Sequence, residues 1–334
     1  MPVLKREAMY YQKLGSKTLR CELCPHFCEI LDSEKGLCNS RQNESGLLYA
    51  TNYGQTVTLA LDPIEKKPLY HYRPGSKILS LGPNSCNLSC KFCQNYQISQ
   101  YESSTVALSL KALQECVEKY SPDLKQVAFT YTEPITWYEY IMDFAEAYPD
   151  HSIIMISNGF INPAPLAQLL PHISAMNIDL KGMQDSFYRD YCGGRLQPVI
   201  NSIEACYQAN VHLEITFLVI PGLNDKEADI QAMASFIAGI DPEIPLHVSA
   251  YHPSFKMTNT ASGIEDIHRA VSIAREKLVY VYGGNILGDD LQQTVCKNCG
   301  ATVISRTYAG IKSRVSANGL CPQCQNRVFG VYGA

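Results

Sequence analysis

The sequence has no hydrophobic run close to the roughly 20 residues that a membrane-spanning helix requires. Its first residues, Met1–Gln12, are charged and include no apolar signal region. The net charge is only −4, which gives no strong electrostatic attraction to nucleic acid or to anionic membranes. There is also no internal repeat and no low-complexity tract. These absences lead us to expect a soluble cytoplasmic protein that does not act at membranes.

The chain is rich in cysteine, with 14 in 334 residues. Eleven of them form three tight groups, at residues 21–38, 86–93 and 296–324. Disulfide frameworks are typical of short secreted chains, whereas clustered thiolates in a reducing compartment are typical of metal and iron–sulfur sites. The sequence therefore predicts three separate metal-binding regions.

The middle of the chain alternates apolar runs with amphipathic segments. The predicted strands are Ile78–Leu81, Val127–Thr130, Ile153–Ile156, Met176–Leu180, His212–Ile220 and His247–Ala250. The helical segments place apolar residues at helical spacing: Trp137, Ile141, Phe144 and Ala145; Ile230, Met233, Ala234 and Ile237; Ile264, Ile267, Val271 and Ala274. Six strand–helix repeats predict an α/β fold with a parallel sheet, a partial (β/α)6 TIM-like barrel whose chemistry lies at the carboxyl ends of the strands.

Composition divides the chain into three regions. Residues 1–75 precede the alternation and form a cysteine-rich segment, and residues 76–290 carry the predicted barrel. Residues 291–334 contain five Lys or Arg and no Asp or Glu, which marks a separate C-terminal module. We expect this module to be a zinc ribbon, because two Cys-x2-Cys pairs, Cys296/Cys299 and Cys321/Cys324, are separated by 21 residues.

The central group, Cys86, Cys90 and Cys93, follows the first predicted strand. Three thiolates can hold three irons of a 4Fe–4S cubane, whose usual complement is four cysteines. The fourth iron is then free to be chelated by a small molecule that carries an amine and a carboxylate. A three-thiolate zinc site completed by another residue is the alternative.

Residues 78–95 resemble the radical S-adenosylmethionine (SAM) motif. Cys90-Lys-Phe-Cys93-Gln-Asn-Tyr is similar to the branch that includes pyruvate formate-lyase activating enzyme. Tyr131-Thr-Glu133-Pro resembles the Gly-Gly-Glu-Pro element that contacts the SAM amine, although both glycines are replaced. The resemblance implies a fold of this family and reductive cleavage of SAM, with electrons from a reducing protein such as a flavodoxin or ferredoxin.

The same resemblance implies a set of SAM contacts, each at a predicted strand end. These residues are Glu133, Ser157, Asn158, Asp179, Lys181 and His252. Each has a structural alternative as well. Glu133 fits a helix cap, and Asp179 with Lys181 fits a surface ion pair. Ser157, Asn158 and His252 fit ordinary turn chemistry.

The N-terminal group contains Cys21, Cys24, Cys28 and Cys38 and suits either an auxiliary 4Fe–4S cluster or zinc. It has one Cys-x2-Cys pair, whereas a zinc ribbon has two, and this difference favours the cluster. Of the remaining thiols, Cys116 and Cys206 fit a core position. Cys192 follows the fourth predicted strand and is a candidate catalytic thiol, although free cysteines more often pack in the core.

Over nearly its whole length the chain resembles the radical SAM protein of the AmmeMemoRadiSam system. The similarity includes Cys24-Pro-His-Phe-Cys28, Asp62-Pro-Ile-Glu-Lys-Lys-Pro-Leu-Tyr70 and the segment His247–Thr258. It implies Memo-type and AMMECR-type partner proteins but names no substrate. A small-molecule substrate is favoured, because the N-terminal and C-terminal cysteine regions are absent from the simplest activases. A glycyl-radical activase acting on a partner protein and a non-catalytic zinc-binding interaction protein are the alternatives.

Overall fold

A computed structural model of the chain describes residues 5–15, 17–286 and 290–333. In chain order its strands are β1 (Arg6–Glu7), β2 (Tyr11–Lys13), β3 (Thr18–Cys21), β4 (Glu29–Leu31), β5 (Arg41–Glu44), β6 (Leu47–Ala50), β7 (Gln55–Pro63), β8 (Lys77–Pro83), β9 (Val106–Ala107), β10 (Gln126–Phe129), β11 (Ser152–Ser157), β12 (Ile173–Asp179), β13 (His212–Val219), β14 (Leu246–Ala250), β15 (Val281–Gly284), β16 (Thr294–Val295), β17 (Thr302–Thr307) and β18 (Gly310–Ser313). The helices are α1 (Tyr96–Ser99), α2 (Leu110–Tyr120), α3 (Tyr138–Ala147), α4 (Pro163–Leu169), α5 (Asp185–Phe187), α6 (Leu196–Gln208), α7 (Glu227–Ile240) and α8 (Ile264–Arg275). Single helical turns lie at Ile64–Lys66, Pro134–Trp137, Leu170–His172, Tyr188–Cys192 and Asp290–Gln292.

The molecule is organised around one nine-stranded sheet in the order β15-β14-β13-β12-β11-β10-β8-β7-β9. Seven neighbouring strands of this sheet are parallel to one another: β15, β14, β13, β12, β11, β10 and β8. Strand β7 pairs antiparallel with β8, and β9 pairs antiparallel with β7 at the edge. This confirms the mixed α/β class and the central parallel sheet. In the described residues the edge strands β9 and β15 do not pair, so the sheet is not a closed ring. The partial-barrel description stays a prediction.

The parallel strands form because their residues are apolar on both faces. Every residue of β10 and of β14 is buried, as in a sheet covered by helices on one side and by its own core on the other. The expected helices also bury their apolar stripes, with Ile230 and Ile237 of α7 and Ile267 and Val271 of α8 fully buried. Ile264 differs, because it begins α8 and is 48% exposed.

All six predicted strands are present, and a seventh, β15, was missed. Its sequence, Val-Tyr-Gly-Gly, is short and half glycine, which removes the β-branched signal on which strand prediction depends. Strand β7 lies within the predicted N-terminal segment, yet it pairs with β8 along its length. The first domain boundary near residue 75 stays a prediction.

Three small antiparallel sheets flank the central one. Strands β1, β5 and β6 form one, β2, β3 and β4 form another, and β16, β17 and β18 form the third. A buried polar network joins the C-terminal sheet to the rest, since Arg306 Nη2 donates to the carbonyl of Tyr70 at 2.7 Å. His71 links the carbonyl of Phe329 to the hydroxyl of Tyr282. None of the described helices is long and apolar enough to span a bilayer.

Candidate active site

A cleft of about 500 Å³ opens at the carboxyl ends of the parallel strands. Eight of the residues singled out from sequence line it together: Cys86, Cys90, Cys93, Glu133, Ser157, Asn158, Asp179 and Lys181. They come from the loops that follow β8, β10, β11 and β12 or from the last residues of those strands. A cleft of this size, with several convergent polar groups, is typical of a small-molecule or cofactor site.

The loop that carries the three cysteines forms backbone hydrogen bonds with two other segments, and these bonds hold it in place. Ser89 N donates to the carbonyl of Cys192 at 2.9 Å, and Lys91 N donates to the carbonyl of Tyr191 at 2.8 Å. Lys256 N in turn donates to the carbonyl of Lys91 at 2.9 Å. At the start of the loop only glycine fits position 82, because an added Cβ would meet the carbonyl oxygen of Thr130 at 2.1 Å.

The donor set of this loop fits a polynuclear cluster better than a single ion. One tetrahedral zinc with bonds of about 2.3 Å brings its sulfurs within about 3.8 Å of one another. Among the described residues, only the C-terminal cysteines form a group of three or more His, Cys, Asp or Glu ligand atoms within 4.8 Å. Cys86, Cys90 and Cys93 share one cleft without forming so compact a group, which suits a cubane with three thiolate ligands better than one ion.

Glu133 lies at the buried end of the cleft and accepts three hydrogen bonds. The donors are Ile135 N at 3.1 Å, the Ser157 hydroxyl at 2.8 Å and Asn158 N at 2.7 Å. Burial raises the pKa of Glu133 to about 7, against the opposing effect of these bonds. A carboxylate has about four lone-pair sites, so one remains for a donor in the cleft, and a cation there would favour the ionised form.

Asn158 joins the Glu133 region to the cysteine loop. Its side-chain amide donates to Asn87 Oδ1 at 2.9 Å and lies 3.8 Å from Cys86 Sγ. Asn87 Nδ2 donates to the carbonyl of Phe160 at 2.7 Å. The Ser157-Asn158-Gly159 turn therefore positions the cysteine loop as well as the carboxylate.

Tyr131 stands where the family element has glycine, and it keeps the glycine-like backbone. Its φ is +68°, in the left-handed region that bulky residues rarely adopt. Its hydroxyl donates to Asp62 at 2.7 Å, which holds the side chain outside the turn. Tyr131 thus adopts a backbone conformation that glycine adopts readily.

A charged cluster on the wall of the cleft was missed from sequence. Lys67 Nζ donates to Asp62 at 2.8 Å and lies 4.4 Å from the centre of the Tyr131 ring. Burial alone would raise the pKa of Asp62, but the hydrogen bonds from Lys67 and Tyr131 lower it to about 2. Asp62 and Lys67 belong to the Asp62–Tyr70 segment that carries the family resemblance, and this segment was the available sequence signal.

Asp179 and Lys181 form an ion pair inside the cleft, with Lys181 Nζ 2.9 Å from Asp179 Oδ2. The Lys181 side chain is only 14% exposed and the Asp179 side chain is 36% exposed. The pair is therefore partly buried in the site and is not a solvated surface pair.

Two predicted residues do not line the cleft. His252 follows β14, but its side chain is exposed, while its neighbour Ser254 donates to the carbonyl of Cys93 at 3.1 Å. Cys192 is fully buried behind the cysteine loop. Its backbone carbonyl contacts that loop through the hydrogen bond from Ser89 N at 2.9 Å. The roles predicted for His252 and Cys192 stay predictions.

The C-terminal cysteines form a compact four-sulfur group. Cys296 Sγ lies 3.6 Å from Cys324 Sγ, and Cys299 Sγ lies 3.7 Å from Cys321 Sγ. These separations match a single tetrahedral metal with thiolate ligands. The two buried members, Cys296 and Cys321, pack with Tyr280 and Val328.

The two thiols that were predicted to lie in the core differ in burial. Cys206 is fully buried on α6, whereas Cys116 on α2 is only half-buried.

Comparison with known proteins places this site in a family. The profile of the Radical SAM superfamily matches residues 82–234, which include the cysteine loop, Glu133 and Asp179. An uncharacterized protein of Methanocaldococcus jannaschii is 38% identical over 309 residues, covering 90% of this chain and 91% of that protein. The chain carries a radical SAM superfamily domain. Membership in the radical SAM superfamily implies an enzyme.

Two further similarities are more limited. The benzylsuccinate synthase activating enzyme of Thauera aromatica is 35% identical over 71 residues, which span 19% of this chain and 22% of that enzyme. A radical SAM methyltransferase from Sphaerobacter thermophilus shares the fold with a TM-score of 0.50 at 13% identity, covering 86% of this chain and 77% of that chain. The second similarity shows the fold alone.

Proposed function

We propose that the chain is a radical SAM enzyme in which Cys86, Cys90 and Cys93 hold a 4Fe–4S cluster and leave one iron for SAM. The observation that carries this proposal is the shared cleft, which three thiols line together with Glu133 and the Asp179–Lys181 pair. When bound, the cluster and SAM together supply a one-electron cleavage that gives methionine and a 5′-deoxyadenosyl radical for hydrogen abstraction.

The residues of the chain bind and orient the cofactor. Glu133 accepts a hydrogen bond from the SAM amine through its remaining lone-pair site, and the neighbouring Ser157 and Asn158 hold the carboxylate in place. Lys181 offers a cation for the SAM carboxylate and is itself held by Asp179. Backbone hydrogen bonds to Tyr191, Cys192 and Lys256 hold the cysteine loop, which would carry the cluster, in a fixed conformation.

A small polar molecule is the substrate class that we propose, in the setting of an AmmeMemoRadiSam system with Memo-type and AMMECR-type partners. Support comes from the part of the cleft wall where Asp62, Lys67 and Tyr131 provide fixed donors and acceptors. Such a rigid polar wall orients a small ligand better than it accommodates a protein loop. The similarity to an activating enzyme over 71 residues favours the second candidate, a glycyl-radical activase.

One experiment tests the proposed chemistry. The anaerobically reconstituted protein is incubated with SAM and dithionite, and 5′-deoxyadenosine is quantified for the wild type, Cys90→Ala and the control Cys116→Ala. We expect product from the wild type and the control only, because Cys116 on α2 lies outside the cleft. Wild-type yield from Cys90→Ala contradicts the assignment of the cluster ligands.

A second experiment separates the two substrate classes. The low-molecular-mass ultrafiltrate and the protein fraction of a cell extract are added separately to the same assay. We expect the ultrafiltrate to raise 5′-deoxyadenosine above its substrate-free level. Stimulation by the protein fraction alone, with a glycyl radical signal on a partner chain, would favour the activase. A gene neighbourhood with Memo-type proteins or with a large glycyl-radical enzyme gives an independent indication.

A further inference from the structure

The N-terminal cysteines come from separate turns and converge on one small enclosed cavity. Cys21 ends β3, Cys24 and Cys28 follow it in the loop before β4, and Cys38 precedes β5. All four line the cavity and none forms a disulfide. A hydrogen bond from Cys21 N to the carbonyl of Cys28 at 2.9 Å closes the loop around the first three. The fold therefore gathers four free thiols at a single buried point.

Arg41 gives a second, independent indication of a ligand there. Its guanidinium is 1% exposed and lines the same cavity. Nη1 donates to the carbonyl of Met9 at 3.0 Å, and Nη2 donates to both oxygens of Glu139 at 2.7 and 2.9 Å. Nε has no partner among the described residues. A buried N–H without an acceptor costs about 1–3 kcal/mol, so an acceptor inside the cavity is expected.

The spacing of the sulfurs distinguishes the kinds of ligand. The C-terminal cysteines approach within 3.6–3.7 Å in pairs, as one tetrahedral ion requires. Among the described residues the N-terminal four do not form such a compact group, since their sulfurs are not all within 4.8 Å. Four thiols that line one cavity without forming so compact a group suit an iron–sulfur cubane, which takes four cysteine ligands, better than a single ion.

We propose that Cys21, Cys24, Cys28 and Cys38 hold a second 4Fe–4S cluster with a full set of protein ligands, and that Arg41 Nε donates a hydrogen bond to one of its sulfurs. With every iron ligated by protein, this cluster cannot chelate SAM. The Arg41–Glu139 ion pair is neutral, so Arg41 acts on the cluster as a hydrogen-bond donor rather than as an uncompensated charge.

The second cluster contacts the catalytic loop through one residue. Asn87 follows Cys86 and also lines the N-terminal cavity. Its carbonyl accepts a hydrogen bond from His26 Nε2 at 2.7 Å, and His26 lies between Cys24 and Cys28. The loop that holds one cluster is thus hydrogen-bonded to the loop that holds the other. This inference stands apart from the proposed function, because a second cluster does not depend on SAM chemistry.

The test counts metals in a chain that lacks the central ligands. Cys86, Cys90 and Cys93 are replaced by alanine, and the protein is reconstituted anaerobically with iron, sulfide and zinc. We expect about four irons per chain and a Mössbauer spectrum of a 4Fe–4S cluster. Adding Cys24→Ala and Cys38→Ala should remove that iron. Loss of all iron from the first variant, with about two zinc ions per chain, overturns the proposal in favour of a zinc site.

Two further measurements keep the test decisive if the triple variant does not fold. The wild type should contain about eight irons per chain, and Cys90→Ala should keep about four of them. About four in the wild type and almost none in Cys90→Ala overturns the proposal.

Arg41→Lys tests the hydrogen bond, because lysine keeps a charge for Glu139 but has no Nε. We expect unchanged iron content and a more negative midpoint potential for the second cluster, since hydrogen bonds to sulfur raise the potential. Arg73→Lys is the matched control, because Arg73 Nε is also buried without a partner among the described residues but does not line the cavity. Equal potentials for Arg41→Lys and the wild type refute the role of Arg41.

Discussion

Asn158 donates a hydrogen bond to Asn87 at 2.9 Å and in this way ties the turn after β11 to the residue that follows Cys86. The two asparagines are 71 residues apart in sequence and both are buried. Buried amides whose hydrogen bonds are satisfied act as rigid connectors, because breaking one leaves polar groups without partners. We therefore regard this pair as a principal support of the cysteine loop.

Asn158→Ala should weaken the retention of the central cluster. Loss of the amide leaves Asn87 Oδ1 without its donor and Phe160 N without its acceptor, which costs about 1–3 kcal/mol. We expect lower iron content after gel filtration and a lower thermal midpoint. Asn201→Ala is the control, since Asn201 is exposed on α6 and should behave as the wild type. Equal iron retention in both variants contradicts a role of Asn158 in supporting the loop.

Glu133 should make the metal-free protein less stable as the pH rises. Burial raises the pKa of Glu133 to about 7, so the folded state holds the proton more tightly than the unfolded state does. The stabilisation is present below the unfolded pKa of about 4.3 and is lost as the pH rises to about 7, with a magnitude of about 4 kcal/mol.

The measurement is thermal unfolding of metal-free wild type and Glu133→Gln between pH 5 and 8. The difference between the two proteins should change across this range, whereas the exposed control Glu204→Gln on α6 should follow the wild type. A wild type and a Glu133→Gln variant that respond to pH identically exclude an elevated pKa for this carboxyl.

Glu214 on β13 should contribute strongly to stability, because it is hydrogen-bonded to the Tyr70–His71 segment that contacts the C-terminal module. It is fully buried and accepts hydrogen bonds from the backbone N–H groups of Tyr70 and His71 and from the rings of His212 and His247. Glu214→Ala leaves these donors unpaired, and we expect a loss of about 3–5 kcal/mol in the free energy of unfolding. Denaturant unfolding measures it, with Glu204→Ala as the exposed control. A decrease of less than about 1 kcal/mol in the free energy of unfolding of Glu214→Ala is inconsistent with this role of Glu214.

The same carboxylate gives a pH signature of opposite sign to that of Glu133. Burial alone would raise the pKa of Glu214, but hydrogen bonds from His212 and His247 lower it well below its usual value. Its stabilisation is therefore present above the unfolded pKa of about 4.3 and is lost as the pH falls below it. Glu214→Gln should remove this acid-sensitive part of the stability.

The four C-terminal cysteines should bind about one zinc ion per chain, because their paired sulfurs are already at tetrahedral spacing. Elemental analysis of wild type and Cys321→Ser measures it, and we expect the variant to lose the zinc and to become sensitive to proteolysis after β15. Cys116→Ser controls for thiol loss alone, since Cys116 lies on α2. Full zinc content in Cys321→Ser, or iron as the only metal in the wild type, is incompatible with a zinc ribbon.

The sequence was sufficient to predict the cysteine loop and the strand ends, because both are encoded by neighbouring residues. Cys86, Cys90 and Cys93 lie within eight positions, and Glu133 and Asp179 follow apolar runs that only a buried strand explains. Parallel strands then bring these ends together without further information. This is why eight of the predicted residues share one cleft.

The contacts that were missed depend on pairing between distant segments. Asp62 lies near the end of β7, which pairs antiparallel with β8 and places Asp62 opposite Ile78 at the amino end of that strand. Asp62 and Lys67 line the cleft from this side, where no neighbouring sequence pattern places them. No local pattern shows that His26 bonds to Asn87, 61 residues away. His252 was expected in the cleft from its place after β14, yet the turn that follows directs its side chain to solvent.

The most direct test of the central claim is the electron paramagnetic resonance spectrum of the reduced central cluster with and without SAM. The protein should carry Cys21, Cys24, Cys28 and Cys38 replaced by alanine, so that only the central cluster contributes. We predict that SAM changes the g-values, because its amine and carboxylate bind the iron that no cysteine holds. A spectrum that is identical with and without saturating SAM would contradict the account.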